Sequence, residues 1–434
     1  MIKSIFKRFF SVILIAALLL SVPIGAASAA PALENFVYTD VYLLGQFDDV
    51  AASDWFESYV RDAVNFGLIL GIGDGSFDPH GLLTVGQAVT LAARLRSIYY
   101  TGSADFESST PFYSVYVQYA LEHGIIDSQS DYTAPISRSQ FAKIIRNALS
   151  DSFFEEINEI PPFAINDVSY DTPADMAIYS LFRAGILSGS DRFGTFFGSS
   201  NISRAEAAAI MVRLVSPASR WEFSLPSKIP ADVLFSRSTH AVFMIETFGP
   251  NFEYLRSGSG FFISADGLAV TALHVIEGAS IGSIITADSQ VFRIAGIRAF
   301  DIYNNLAIIE IASEGRVFHY LTLADSDLIE TGNTVYAIGS PRGMMNSMTA
   351  GIVSHASRMR GEVYMIQFTA PISFGSGGGP LLNTLGQVIG VASLSLTYGQ
   401  NMNLAIASNL IRELTLSDLI TLEEYRLKSY QILG

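Results

Sequence analysis

Apolar positions along the chain follow two different periods. Between Phe47 and Val215 they recur every three to four residues, in VRDAVNFGLI, VQYALEHGII and AIYSLFRAGIL, as on amphipathic helices. Each segment runs into a Gly–aliphatic pair, and the glycines, Gly67, Gly124 and Gly185, are spaced 57 and then 61 residues apart. After a loop, a second helix is predicted at TVGQAVTLAARL, SRSQFAKIIRNAL and SRAEAAAIMVRL. Thr84, Ser137 and Ser203 are natural N-caps there, with Gln140 and Glu206 placed for capping boxes. Helix–loop–helix units with one apolar face must stack to bury it. The pattern therefore predicts three repeats, 46–99, 105–149 and 162–215, forming a helical bundle.

The period changes after Ser216. Residues 216–230, SPASRWEFSLPSKIP, are rich in Pro and Ser and read as a linker. From 231 to 418 short β-branched and aromatic runs alternate with Gly, Asn and Asp turns, among them HAVFMIET, GSGFFIS, LAIIEIA, TVYAIGS, EVYMIQFT and QVIGVASLS. Strands at this spacing predict an all-β barrel or sandwich. Residues 419–434 read as a C-terminal tail, either a helix packed on that domain or a loose end.

The N-terminus adds a compartment. Lys3, Lys7 and Arg8 precede the apolar run Val12–Val22, and Ala27-Ser28-Ala29 gives a small-residue cleavage pattern. This predicts a signal peptide at 1–29, since the run is about half the ~20 residues of a spanning helix. No membrane span is expected after its removal, and 30–45 lead into the first repeat. The 26 basic and 41 acidic residues give a formal charge of −15, which argues against nucleic-acid binding. An anionic partner must then be held by a local basic pocket. The chain has no cysteine, which excludes disulfides, thiolate metal sites and a thiol nucleophile. Secretion without cysteine points to a Gram-positive envelope. Nothing in the sequence calls for a metal or a cofactor.

Three motifs in the repeats carry a resemblance. FDDV (Phe47 to Val50), DGSFDP (Asp74 to Pro79) and SRAE (Ser203 to Glu206) are similar to the motifs of S-layer homology repeats. That family binds anionic secondary cell-wall polysaccharide with the arginine that follows the N-cap. The resemblance implies Arg138 and Arg204 as cell-wall polymer contacts, and Val85 at the first repeat's position implies one weak groove. It also implies a location at the cell wall or S-layer.

Four segments of the β-rich part resemble trypsin-like serine proteases of the HtrA/DegP type, in the family's order: GSGFFISADGLAVTALHVIEGA, FDIYNNLAIIEI, VYAIGSPRGMMNSMTAGIVS and PISFGSGGGPLLN. The implied fold is multidomain, an α-helical three-repeat bundle followed by an all-β double barrel with its site in the cleft. A PDZ-like segment is not expected, as only about twenty residues follow the barrel. The resemblance puts the catalytic base at His274, but Asn305 stands where the triad Asp belongs and Gly377 where the nucleophile belongs. Asp301, upstream, is a weaker substitute for the acid, and Ser376 neighbours the empty nucleophile position. The oxyanion hole falls on the backbone N–H groups of Gly375 and Gly377, and residues Ser395 to Asn401, with Leu394, Leu396 and Tyr398, should line an apolar specificity pocket.

The sequence thus reads as an exported, wall-anchored member of a protease family with a degenerate triad, binding a peptide or protein in its cleft. Two alternatives stay open: an active surface serine endopeptidase pairing His274 with Ser376, and a structural S-layer component.

Overall fold

The computed structural model describes residues 32–340, 347–361, 363–395 and 402–433. The expected signal peptide and the core of the expected specificity pocket, residues 396–401, lie outside these.

Six helices build the first half as three pairs: α1 (Glu57–Asn65) with α2 (Val85–Thr101), α3 (Ser114–Glu122) with α4 (Arg138–Asn147), and α5 (Pro173–Arg183) with α6 (Arg204–Val215). Gly67, Gly124 and Gly185 all take left-handed φ, between 63° and 69°, just past α1, α3 and α5. Glycine ends a helix this way without Cβ strain, which explains its recurrence. All three second helices open on a full capping box, including one from Gln87 back to Thr84 that the sequence reading missed.

The three pairs close on one another. Leu83 N–H donates to Ile202 C=O (2.9 Å), Ile136 N–H to Leu83 C=O (2.9 Å), and Ile202 N–H to Ile136 C=O (3.3 Å). This ring of backbone bonds relates the repeats by a pseudo-threefold. Each helix start in turn docks on the loop of another repeat: Val85 N–H on Ala134 C=O, Arg138 N–H on Ser200 C=O, and Arg204 N–H on Gly81 C=O. Around the ring, Phe77, Phe141, Tyr179, Phe182 and Phe196 are fully buried. No repeat could bury these rings alone.

The second half is two closed six-stranded antiparallel barrels. The first runs β1 (Val242–Phe248), β2 (Tyr254–Phe262), β3 (Leu268–Ala272), β6 (Leu306–Ile311), β5 (Val291–Asp301) and β4 (Ile281–Ile285) around its circumference. The second comprises β7 (Thr334–Gly339), β8 (Ser347–Arg360), β9 (Val363–Phe368), β10 (Pro380–Leu382), β11 (Val388–Ser395) and β12 (Asn403–Ala407). Closure leaves no open sheet edge. A short helix, α7 (Ala231–Ser238), precedes β1; α8 (Leu273–Ile276) follows β3, and α9 (Asn409–Arg412) follows β12.

The segment read as a linker is more ordered than the sequence suggested, and the C-terminal segment takes the helical of its two expected forms. The expected linker is fastened along its length: Trp221 N–H donates to Gly185 C=O (2.9 Å), Arg213 stacks 3.9 Å over the Trp221 ring, and Ile229 N–H donates to Thr384 C=O (2.8 Å). The third repeat is also docked on the second barrel. Gln387, fully buried, donates to Phe163 and Ile165 carbonyls, while Arg412 bonds Asp171 and Arg237 bonds Asp191. The expected tail is a helix, α10 (Leu422–Leu433), whose Leu422 and Tyr425 are buried on the first barrel. Among the described residues no helix is long and apolar enough to cross a membrane.

Candidate active site

Three local structures bring the predicted positions into one cleft. β3 runs straight into the single turn of α8, which presents His274. The hairpin from β5 to β6 presents Asn305 at its last turn residue, with a left-handed φ of 54° that Asn tolerates better than most side chains. The turn before β10 presents Gly377. Asp301 is not a member of this group. Its carboxylate accepts from the Asn304 N–H (2.9 Å) and side-chain amide (2.6 Å), so it shapes the hairpin.

The orientation of the Asn305 amide follows from its neighbours. Its Oδ1 accepts from the backbone N–H of His274 at 2.9 Å. Because a backbone N–H can only donate, the oxygen must lie there and the NH2 must lie opposite. That NH2 reaches Ser393 Oγ (3.0 Å) and His274 Nδ1 (2.9 Å), whereas Oδ1 is 3.3 Å from Nδ1. The shorter contact favours Nδ1 as the acceptor of an amide hydrogen, the arrangement that leaves the proton of the neutral imidazole on Nε2. A triad base needs the reverse arrangement. Burial pushes the imidazole pKa below its usual value; the contact with Asn305 opposes this, and the weaker influences of Arg256 and Glu277 lower and raise it in turn, so the neutral form predominates at pH 7.

Gly377 faces the imidazole directly. A Cβ built on it would lie 3.1 Å from His274 Nε2 and 3.4 Å from Cε1. Ser376 is buried, and its hydroxyl faces the N–H of Ser373 at 3.5 Å on the second-barrel side of the turn. Among the described residues it makes no hydrogen bond to His274. Adjacent residues in a tight turn point apart, and here that separates the hydroxyl from the imidazole.

The turn itself is clamped by Ser259, a residue with no sequence signal. Its Oγ donates to Gly375 C=O (2.7 Å) and accepts from Ser340 N–H (2.9 Å), and its N–H donates to Gly377 C=O (2.8 Å). Ser376 C=O accepts from Gly379 N–H (3.1 Å). The peptide plane then turns the Gly377 N–H the opposite way. Among the described residues neither Gly375 N–H nor Gly377 N–H has an acceptor. Ser393, which holds the Asn305 amide, is likewise invisible to motif reading.

The two repeat arginines are buried. Arg204 donates to Phe77 C=O (2.7 Å) and Leu70 C=O (2.8 Å) and stacks over Phe77 at 4.9 Å. Arg138 donates to Phe196 C=O (2.9 Å) and Glu206 (2.7 Å) and stacks over Phe196 at 5.2 Å. Each therefore rivets its helix start to the next repeat's loop. At the third junction, beside Val85 and Gly86, Tyr113 and Tyr132 pack together in the place of a guanidinium. Arg204 also reaches a cavity of about 560 Å³ that Gln87, Arg94, Glu107 and Tyr116 line.

Two six-stranded barrels with a histidine at the end of β3 and a Gly-rich turn before β10 define a trypsin-like protease fold. A family model of trypsin-like peptidase domains matches residues 258–391, and one of S-layer homology domains matches 46–89. The chain accordingly combines a region that matches S-layer homology domains with one that matches trypsin-like peptidase domains, and the latter is similar to HtrA and DegP-like serine proteases. It is 37% identical over 164 residues to serine protease HTRA4 of Homo sapiens, covering 36% of this chain and 34% of that one. It is also 37% identical over 164 residues to serine protease HTRA1 of Xenopus laevis, covering 36% and 35%. The chain spans about a third of the length of these relatives.

Proposed function

We propose that this is an exported protein, anchored to the cell wall of a Gram-positive bacterium, whose protease domain binds peptide without cleaving it. The observation that carries the reading is Gly377: the backbone points a hydrogen, where the fold needs a hydroxyl, at the imidazole 3.1 Å beyond the missing Cβ. Asn305 supports it by donating a hydrogen bond to Nδ1, which favours the ring tautomer with its proton on Nε2. Binding survives this loss because the two oxyanion-hole N–H groups are backbone donors and need no side chain. Anchoring rests on the S-layer homology domain and on the Arg204 cavity, where a guanidinium beside polar and aromatic walls suits an acidic polysaccharide.

One experiment addresses both halves. The purified chain, lacking residues 1–29, is expected to co-sediment with purified wall polysaccharide and to show no turnover of casein and no covalent adduct with a fluorophosphonate probe. An adduct lost on Ser376→Ala would overturn the non-hydrolytic reading in favour of the endopeptidase alternative. Failure to sediment would remove the wall anchor.

A further inference from the structure

We infer that the altered centre is a receptor for a free peptide C-terminus, with the terminal carboxylate seated between His274 and the Gly375–Gly377 turn. The inference rests on the peptide-binding reading above and specifies its ligand. It starts from a count of donors and acceptors. The turn carries two N–H groups, of Gly375 and Gly377, and the imidazole in the tautomer argued above carries a third on Nε2, none with an acceptor among the described residues. The two altered positions offer no acceptor in return, since Gly377 has no hydroxyl and the imidazole's one lone pair, on Nδ1, faces the Asn305 amide; the Ser393 carbonyl is the backbone acceptor beside them, 3.9 Å from a Cβ at 377.

An internal peptide carbonyl brings one oxygen to the oxyanion donors. It would leave the Nε2–H, which belongs to a mostly buried ring, without a partner, and an unpaired buried donor is unfavourable. A carboxylate brings two oxygens. One fits the backbone pair and the other takes the imidazole N–H, so all three donors are satisfied by charge-assisted bonds. The glycine makes the space, because a side chain at 377 would begin 3.1 Å from Nε2 and occupy the second oxygen's approach.

Charge points the same way. With Asp at 305, a buried anion would face the ligand carboxylate across the imidazole, and two carboxylates sharing a site repel. Asn305 removes that anion while still gripping the ring. Of the neighbouring charges, Arg256 sits on the His274 backbone carbonyl and is favourable, and Glu277 is the one opposing charge noted beside the ring. The two replacements that abolish acyl transfer therefore act together: one clears a seat for an oxygen anion and the other supplies a neutral donor to it.

The test uses a pool of fluorescein-labelled random hexapeptides, made once as free C-terminal acids and once as C-terminal amides, and fluorescence polarisation with the full chain. The acid pool is expected to bind at least tenfold more tightly than the amide pool, and Asn305→Asp to erase that preference with the fold intact by circular dichroism. Equal or tighter binding of the amide pool would overturn the carboxylate inference and leave the peptide-binding reading standing. Binding of neither pool would overturn both. The wild-type comparison decides the matter even if the variant does not fold.

Discussion

The double variant Gly377→Ser, Asn305→Asp is expected to hydrolyse peptides at least about 10⁴-fold faster than the parent chain, with neither single variant recovering more than a small part of that. Loss of the nucleophile alone removes about 10⁶ in rate from a triad enzyme, and replacing its Asp by Asn about 10⁴. The geometry explains why both changes are needed. Gly377 does not adopt a left-handed φ, so a serine there meets no backbone strain. Its Cβ would lie 3.1 Å from Nε2, which asks the imidazole to retreat by a few tenths of an ångström. In Gly377→Ser alone, however, the new hydroxyl faces an Nε2 that already holds its proton and cannot accept another. In Asn305→Asp alone the tautomer is corrected, since the carboxylate accepts from Nδ1–H, yet nothing is there to attack. Initial rates on a fluorogenic peptide pool check this. A folded double variant without activity would show that the cleft is impaired at a site other than these two.

The second large effect concerns stability. Arg204→Ala is expected to destabilise the helical bundle by about 3 kcal/mol, on the scale of two charge-assisted hydrogen bonds, one of them to a buried acceptor left behind. The carbonyls of Phe77 and Leu70 lose their donor, and the Phe77 ring loses its cation. Arg204→Lys should rescue little, because an ammonium cannot span two diverging carbonyls as a guanidinium fork does. Arg138→Ala should act in the same direction through Phe196 C=O and Glu206. Urea denaturation followed by far-UV circular dichroism reads the change. An undiminished midpoint together with lost wall binding would mean that Arg204 serves the polymer and not the fold.

This second expectation marks where sequence reading stopped short. The SRAE motif located Arg204 correctly at a helix start, but a motif does not say which way a long side chain turns. Pseudo-threefold closure, invisible in any one repeat, puts the Phe77 carbonyl within its reach. The same holds for the protease half. His274, Asn305 and Gly377 were legible because their flanking residues keep the fold's local patterns. Ser259 and Ser393 were not, since each acts on residues more than 80 positions away through one hydroxyl. The β-branched and aromatic runs HAVFMIET and QVIGVASLS predicted β1 and β11, whereas β8, long and largely exposed, lacks a buried face to mark it. Residues 216–230 looked like a free linker because their partners, Gly185 and Thr384, come from two different domains.

The claim beneath both the silent chemistry and the carboxylate seat is that the Asn305 amide fixes the His274 proton on Nε2. Nitrogen-15 NMR of histidine-labelled protein at neutral pH measures this directly, with the His274 signals assigned by their loss in His274→Gln. Protonated Nε2 and unprotonated Nδ1 are the result expected here. A proton found on Nδ1 would give the ring a free lone pair toward the cleft, making it a competent base and contradicting the account.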